Sequence, residues 1–239
     1  MEPLKKPSIS ENLDHISIDS QIQSSHLHDF HEQLSFENEK YIMLIDQFNQ
    51  ACAANSKGDL IQSLVNIYIF LGGIGENDYG NEIVQPLESS AFFSNLIDCF
   101  KIKDDQLTFH LSLTYGKLHL ISSGFAGSKI NVATFCPIYG IITQNFFENN
   151  NYYSPDTFQA LIDLIFEFAE ESCEHLILLT QLGFFRFLEH LYFNTTNLNS
   201  LLSLLNSTII LASNGQFHSQ IPYASLIPII TFLKIILYK

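Results

Sequence analysis

Acidic side chains are the residues of this chain whose types and spacing come nearest to a site. Five of them crowd one predicted helix and its exit: Asp163, Glu167, Glu170, Glu171 and Glu174. Like charges one turn apart on a helix repel by about 0.2–0.5 kcal/mol per pair, a cost that a basic partner relieves. A solvated acidic surface explains the same residues equally simply. Both interpretations therefore stay open at the level of sequence.

Motifs for catalysis or metal binding are missing from the sequence. The glycines of "LGGIGEND" precede no Lys-Ser/Thr, and "SGFAGSK" carries Ser128 and Lys129 in the wrong order for a phosphate loop. The cysteines have no identifiable partner set of His and acid. His26, His28 and His31 in "HLHDFH" have metal-ligand spacing, but no second ligand cluster accompanies them, so free histidines are the simpler interpretation. We expect a non-catalytic protein that uses no cofactor and no metal.

The cysteine pattern and the N-terminus indicate a reducing compartment. Four widely spaced cysteines lie in apolar helical contexts, unlike a disulfide framework, and we expect reduced core thiols. They are Cys52, Cys99, Cys136 and Cys173. The first residues, MEPLKKPSIS, lack the apolar stretch of a secretory signal. We therefore expect a cytoplasmic or nuclear protein in which the sequons at Asn194 and Asn206 stay unmodified.

The charge balance bears on the class of partner. The chain has 11 Lys+Arg against 25 Asp+Glu, a formal net charge of −14, and no basic stripe that would follow a phosphate backbone. Nucleic acid is therefore not expected as a partner. A protein or peptide is expected instead, and a basic segment fits the acidic field, although net acidity also serves solubility alone.

Apolar periodicity predicts an all-α fold. From residue 37 onward apolar residues recur at helical spacing, and almost no run alternates with the period of a strand. The first such face comprises Tyr41, Leu44, Ile45, Phe48 and Cys52. Residues 1–36 are polar and Ser-rich without such a period, which predicts a flexible N-terminal tail before a helical domain over 37–239.

A repeated helix start organises the predicted helices. Variants of "GFFR" begin at residues 91, 134, 183 and 225 as AFFS, TFCP, GFFR and SLIP, about 42 to 49 residues apart, a period typical of armadillo and HEAT repeats. Longer helices are predicted at Asp59–Leu71, Asp105–Ser123, Asp156–Glu171 and Leu198–Ser213. Because a single repeat cannot bury both faces, stacking must make the core continuous.

The stretches "VATFCPIYGII", "YASLIPIITFL" and "QLGFFRFLEHL" resemble the entry into the second helix of armadillo repeats. "KLHLISSG", "LIFEFAEES" and "TIILASNG" resemble the ends of the third helices. The resemblance covers roughly Asp59 to Lys239. It implies a right-handed α-solenoid of about four armadillo-like repeats that acts as a protein-binding scaffold.

The chain carries in order the stretches "EIVQPLESSAFFSNLIDCF", "LTFHLSLTYGKLHLISSG" and "KINVATFCPIYGII". This order is similar to the opening repeats of importin-alpha, an adaptor for basic peptides. Importin-alpha binds these peptides through Trp and Asn pairs on successive third helices. The corresponding positions here are Asn66 and Phe70, Gly116 and Leu120, Asp163 and Glu167, and Asn206 and Ile210. None is Trp followed by Asn, so the resemblance carries over the scaffold without the clamp. The alternative function, a divergent nuclear-transport adaptor, is expected to select Lys/Arg-rich peptides.

In the geometry that the resemblance implies, third helices line the concave face of the solenoid. Four polar side chains on them would then project toward a groove and are the candidate partner-binding residues. They are Asn66, Asp163, Glu167 and Asn206.

The segment from Ile221 to Lys239 allows two interpretations. Its apolar run suggests a membrane anchor, yet Pro222, Pro228 and Lys234 leave less than the ~20 clean residues that a span requires. A last core helix of the array explains it better. Because that helix has no polar capping repeat, we expect it to be covered by a second copy or a partner, or to continue into a longer array.

Overall fold

The computed structural model of the chain describes residues 38–73, 80–123, 130–148 and 153–213. Contacts divide the chain into two units, Met1–Met43 and Leu44–Lys239, and the packing described below belongs to the second. The N-terminal tail, the fourth repeat start at 225 and the apolar C-terminal segment all lie outside the described residues. Of the glycine motifs, Gly72 and Gly73 lie within the described residues at the end of a helix, whereas Gly75, Gly124 and Gly127 lie outside them.

Every regular element within the described ranges is an α-helix, and no strand occurs there, which confirms the all-α prediction. In chain order the helices are α1 (38–54), α2 (Lys57–Gly73), α3 (Gly80–Ser89), α4 (Phe92–Phe100), α5 (Asp105–Ser123), α6 (Ile130–Glu148), α7 (Pro155–Glu171), α8 (Cys173–Gln181), α9 (Phe184–Asn194) and α10 (Leu198–Ser213). None of these helices combines the length and apolarity that a membrane span needs.

Side-chain caps fix where several helices begin. The Ser154 hydroxyl accepts a hydrogen bond from the Thr157 amide, and Pro155 supplies the first turn of α7. Asp104 caps α5 in the same way, because its carboxylate accepts from the Leu107 amide at 2.9 Å. Gly183 precedes α9 with a φ of 87°, a left-handed conformation that glycine adopts without a steric penalty. The opening of "GFFR" is therefore a turn.

The structure corrects two expected helix starts. Asp59 lies in the first turn of α2 and is not its cap, because the helix already begins at Lys57. The second repeat start, TFCP, does not open a helix either, since α6 runs unbroken from Ile130 through Pro137. Residues 130–133, directly before TFCP, already belong to α6, so no turn like Leu182–Gly183 separates them from TFCP.

The helices of the second unit pack in two rows. In one row the long helices α2, α5, α7 and α10 lie side by side, and in the other α4 contacts α6 and α6 contacts α9. Contacts of α4 with α5, and of α8 with both α7 and α9, join the rows. In the row of long helices α5 lies between α2 and α7.

Aromatic rings fill the space between the rows. The rings of Phe135 and Phe168 stack with centroids 3.7 Å apart, and His175 stacks on Phe168 at 4.2 Å. Phe168 is fully buried, and burying such a side chain stabilises a fold by roughly 1.5–3 kcal/mol. These three rings connect α6, α7 and α8 and fix the rotation of α7, which carries the acidic residues singled out above.

Polar contacts between segments recur at sequence separations between 44 and 52 residues. Lys57 pairs with Asp104 across 47 residues, and Lys103 pairs with Glu148 across 45. Asn95 donates to Asn49 across 46 residues. Successive segments of similar length therefore contact one another through such pairs.

Candidate functional site

A groove opens between α2, α5 and α7 and has a volume of about 160 Å³. We call it the acidic groove and define it by Tyr68, Gly116, Lys117, Leu120, Asp163 and Glu167. Small-molecule pockets usually enclose roughly 300–1,000 Å³, so this space suits one side chain of a partner better than a metabolite. Residues four apart on a helix lie on one face, which is why each of α5 and α7 contributes such a pair.

The floor of the groove is the bare backbone of α5 at Gly116. A Cβ atom at this position would lie 3.7 Å from Glu167 Oε2 and 3.9 Å from Leu164 Cδ1. The Glu167 carboxylate therefore lies directly over the glycine. The space beside the carboxylate is open because the glycine has no side chain.

Partial burial makes the carboxylates of the groove costly in their charged form. Burial raises the pKa of Glu167 above its ordinary value of 4.5, and the negative charges of Asp163 and Glu170 raise it further. Burial also raises the pKa of Asp163, although a hydrogen bond of 2.5 Å from Gln159 Nε2 opposes the shift. A cation that enters the groove would lower both pKa values by stabilising the charged forms.

No cation among the described residues forms an ion pair with either carboxylate. Lys117 lines the same groove, but its ammonium makes no ion pair with Asp163 or Glu167. Two negative groups against one positive group leave the groove with a net negative charge. The geometry provides a partly desolvated acidic site with an apolar rim.

The four candidate partner-binding residues separate into two groups in the structure. Asp163 and Glu167 line the acidic groove together. Asn66 lies on α2, half-buried, where its side-chain oxygen accepts a hydrogen bond from Gln62 Nε2 at 3.0 Å, and Asn206 lies exposed on α10. Neither asparagine belongs to the lining of the groove.

Sequence reasoning missed Tyr68 and Lys117 as lining residues. Tyr68 stands in the apolar run "IYIF", where apolar side chains continue beyond the buried face of α2, and 40% of its surface is exposed. Leu120 is likewise exposed, at 52%. The sequence signal that could have found these two apolar residues is that α2 and α5 carry more apolar side chains than one buried helix face needs.

A second titratable cluster joins α5, α7 and α8. Glu171 Oε2 lies 3.2 Å from His119 Nε2 and 3.0 Å from His175 Nδ1. His119 is almost fully buried and packs against the ring of Phe168. Across the described ranges no three His, Cys, Asp or Glu side chains are arranged to hold a metal ion. The contacts of Glu171 with both histidines link α5, α7 and α8.

No family model, no curated protein and no solved structure matches the chain.

Proposed function

We propose that the chain is a non-catalytic protein-interaction scaffold of armadillo-like repeats, whose acidic groove binds a Lys or Arg side chain of a partner segment. The observation that carries the proposal is the Glu167 carboxylate, held over Gly116 with a raised pKa and without an ion-pair partner among the described residues. The recurrence of contacts between segments at separations of 44 to 52 residues supports the repeat architecture.

The rim of the groove suits the aliphatic part of a basic side chain. Tyr68 and Leu120 are apolar groups on α2 and α5 that are about half exposed. A Lys or Arg side chain buries its methylene stem along such surface while its charged end reaches a carboxylate. A cation near an exposed tyrosine ring gains about a further 0.5–1 kcal/mol.

The partly buried carboxylates of the groove favour the binding of a cation. Asp163, Glu167 and Glu170 repel one another along α7, and burial raises the pKa of each. An incoming ammonium or guanidinium group relieves that repulsion, so part of the binding free energy comes from removing a strain of the free protein. The single charge of Lys117 weakens this attraction without reversing its sign.

A nuclear-transport adaptor is the alternative, and it is less well supported by the groove. An importin-alpha clamp uses Trp and Asn at the positions occupied here by Gly116 and Leu120 on α5 and by Asp163 and Glu167 on α7. Gly116, which stands where the clamp has an aromatic ring, leaves space in the groove for one side chain of a partner. We therefore favour recognition of a single basic residue over an extended clamp.

The test is a selection from a displayed library of random peptides, followed by fluorescence anisotropy on the best binder. We expect Lys- or Arg-containing peptides, with affinity that falls as salt rises. The double variant Asp163→Lys/Glu167→Lys should weaken the Kd at least about tenfold, or ~1.4 kcal/mol.

The matched control is Asp46→Lys/Glu88→Lys, which changes the net charge equally at two exposed acids outside the groove lining. It should leave the Kd within about twofold, far below the tenfold that 1.4 kcal/mol represents. Equal loss in both double variants would assign the binding to the overall field. Selection of peptides without basic residues would refute the proposal.

A further inference from the structure

The interface of α1 and α4 aligns three pairs of side chains in register. The rings of Phe48 and Phe92 have centroids 4.9 Å apart, and Asn95 Nδ2 donates to Asn49 Oδ1 at 2.8 Å. One turn further along both helices, the sulfur atoms of Cys52 and Cys99 lie 3.6 Å apart. Because the two contacts in the preceding turns hold the helices in register, the sulfur contact is a defined feature of the interface.

The two thiols differ in access and in acidity. Cys99 is 4% exposed, whereas Cys52 is half-buried, so a small reagent reaches the pair from the Cys52 side. A hydrogen bond between the thiols raises the pKa of Cys52 and lowers that of Cys99, although burial opposes the second shift. The first proton therefore leaves the pair more easily than the second, and the thiol that keeps its proton can donate a hydrogen bond to the other sulfur.

We propose that Cys52 and Cys99 form a redox modification site, in which a hydroperoxide converts the thiol pair into a disulfide that joins α1 to α4. The sulfur atoms must approach by roughly 1.5 Å to reach the ~2.05 Å of a disulfide bond. Rotation of two side chains in a fixed interface supplies such a shift more readily than movement of a helix.

The chemistry balances with hydrogen peroxide as the oxidant. Peroxide oxidises one thiolate to a sulfenic acid, and the O–O bond breaks as hydroxide leaves. The second sulfur then attacks the sulfenic sulfur, the S–O bond breaks, and the departing hydroxide takes the proton of the attacking thiol. Two thiols and one peroxide thus give one disulfide and two waters. A sulfenic acid beside a thiol is captured before further oxidation.

The test treats the folded full-length chain with hydrogen peroxide, blocks remaining thiols with iodoacetamide and digests it with trypsin under non-reducing conditions. Cleavage after Lys and Arg places Cys52 in the peptide 41–57, Cys99 in 58–101, and both other cysteines in 130–186. We expect 41–57 and 58–101 to be recovered as one linked species with the mass of two hydrogen atoms missing, and dithiothreitol to separate them.

Cys52→Ser should abolish that species, whereas Cys136→Ser, at another half-buried cysteine, should leave its yield unchanged. Recovery of Cys52 or Cys99 as unlinked sulfinic acid would overturn the proposal. So would linkage of 41–57 to 130–186 in equal yield, or free thiols at the pair under conditions that oxidise Cys136. The linked wild-type chain should also show a higher Tm, a readout that depends on no substitution.

Discussion

Carboxylates have different surroundings in two regions of this molecule, the junctions between segments and the acidic groove. At the junctions between segments, Asp104 pairs with Lys57 and Glu148 pairs with Lys103, each at 2.5 Å. In the acidic groove, Asp163 and Glu167 have no such cation among the described residues. Each junction acid lies beside a lysine of a neighbouring segment, whereas the two groove acids lie beside each other.

The pKa shifts of the two regions have opposite signs. Burial raises the pKa of Asp104, but the Lys57 ammonium and the Leu107 amide outweigh it and hold the pKa below its ordinary value. Hydrogen bonds from Lys103 and Gln144 lower the pKa of Glu148. In the groove, burial raises the pKa values of Asp163 and Glu167. The difference teaches that a partly buried acid on this fold is costly where the described residues supply no counter-charge.

The largest expected effect is on the junction side of the comparison. Asp104→Ala removes both the cap of α5 and the ion pair with Lys57, so the free energy of unfolding should fall by about 1–2 kcal/mol. Urea denaturation followed by circular dichroism measures it. Asp98→Ala is the control, because the exposed Asp98 pairs only within its own turn with Lys101. Equal losses in the two variants would remove the distinction between a junction acid and a surface acid.

Gly116→Ala should separate stability from binding. Alanine in a helix interior is favoured over glycine by roughly 0.5–1 kcal/mol, and the added Cβ at 3.7 Å from Glu167 Oε2 causes no clash. Thermal stability should therefore rise while affinity for the selected peptide falls. Gly140→Ala on α6 is the control, because a Cβ added there would have no neighbouring atom within 4 Å. It should raise thermal stability and leave the affinity for the peptide unchanged. Unchanged peptide affinity in Gly116→Ala would show that the groove floor is not used.

Glu167→Gln should stabilise the free protein slightly, by a few tenths of a kcal/mol (~0.2–0.5), because it relieves the repulsion from Asp163 and Glu170. A raised pKa in the folded state means that the folded protein binds the proton more tightly than the unfolded chain, so stability falls as pH rises through that range. The advantage of the variant should be complete above the raised pKa and vanish below 4.5. Unfolding curves across that range decide the sign. A variant less stable than wild type at neutral pH would contradict the cost assigned to the groove.

The smallest effect is expected at the outer ion pair. Lys103 and Glu148 are 56% and 45% exposed, and water screens such pairs strongly. Lys103→Ala should leave the Tm unchanged within error, in contrast to Asp104→Ala. A clear loss of Tm would mean that this junction pair is as important as the Lys57–Asp104 pair.

The sequence predicts the long helices well because their signals are local. Helices α5 and α10 begin and end at the expected residues, and α7 differs by one, since Ser154 and Pro155 mark its start. The predicted helix start at TFCP is wrong. Pro137 is a start signal in sequence, but here it lies inside the continuous helix α6. Local signals cannot show whether a turn precedes a proline when no glycine marks it.

The site was accessible from sequence only in part. Asp163 and Glu167 could be placed on one helix face, but Tyr68 and Lys117 join them through the rotation of α2 and α5, which depends on packing between helices. The contact of Cys52 with Cys99 has the same origin. The sequence predicts core thiols at both positions, but their contact depends on a separation of 47 residues, which lies within the spacing of the predicted helix starts.

Tyr68 on the rim of the groove is a suitable position for a fluorescent probe of binding. The chain contains 10 tyrosines and no tryptophan, so Tyr68→Trp would introduce a single indole whose emission can be excited selectively. Because this side chain is 40% exposed beside the carboxylates, a segment entering the groove would displace water from the ring and shift its emission to shorter wavelength. Occupation of the groove could then be followed in real time without a label on the partner.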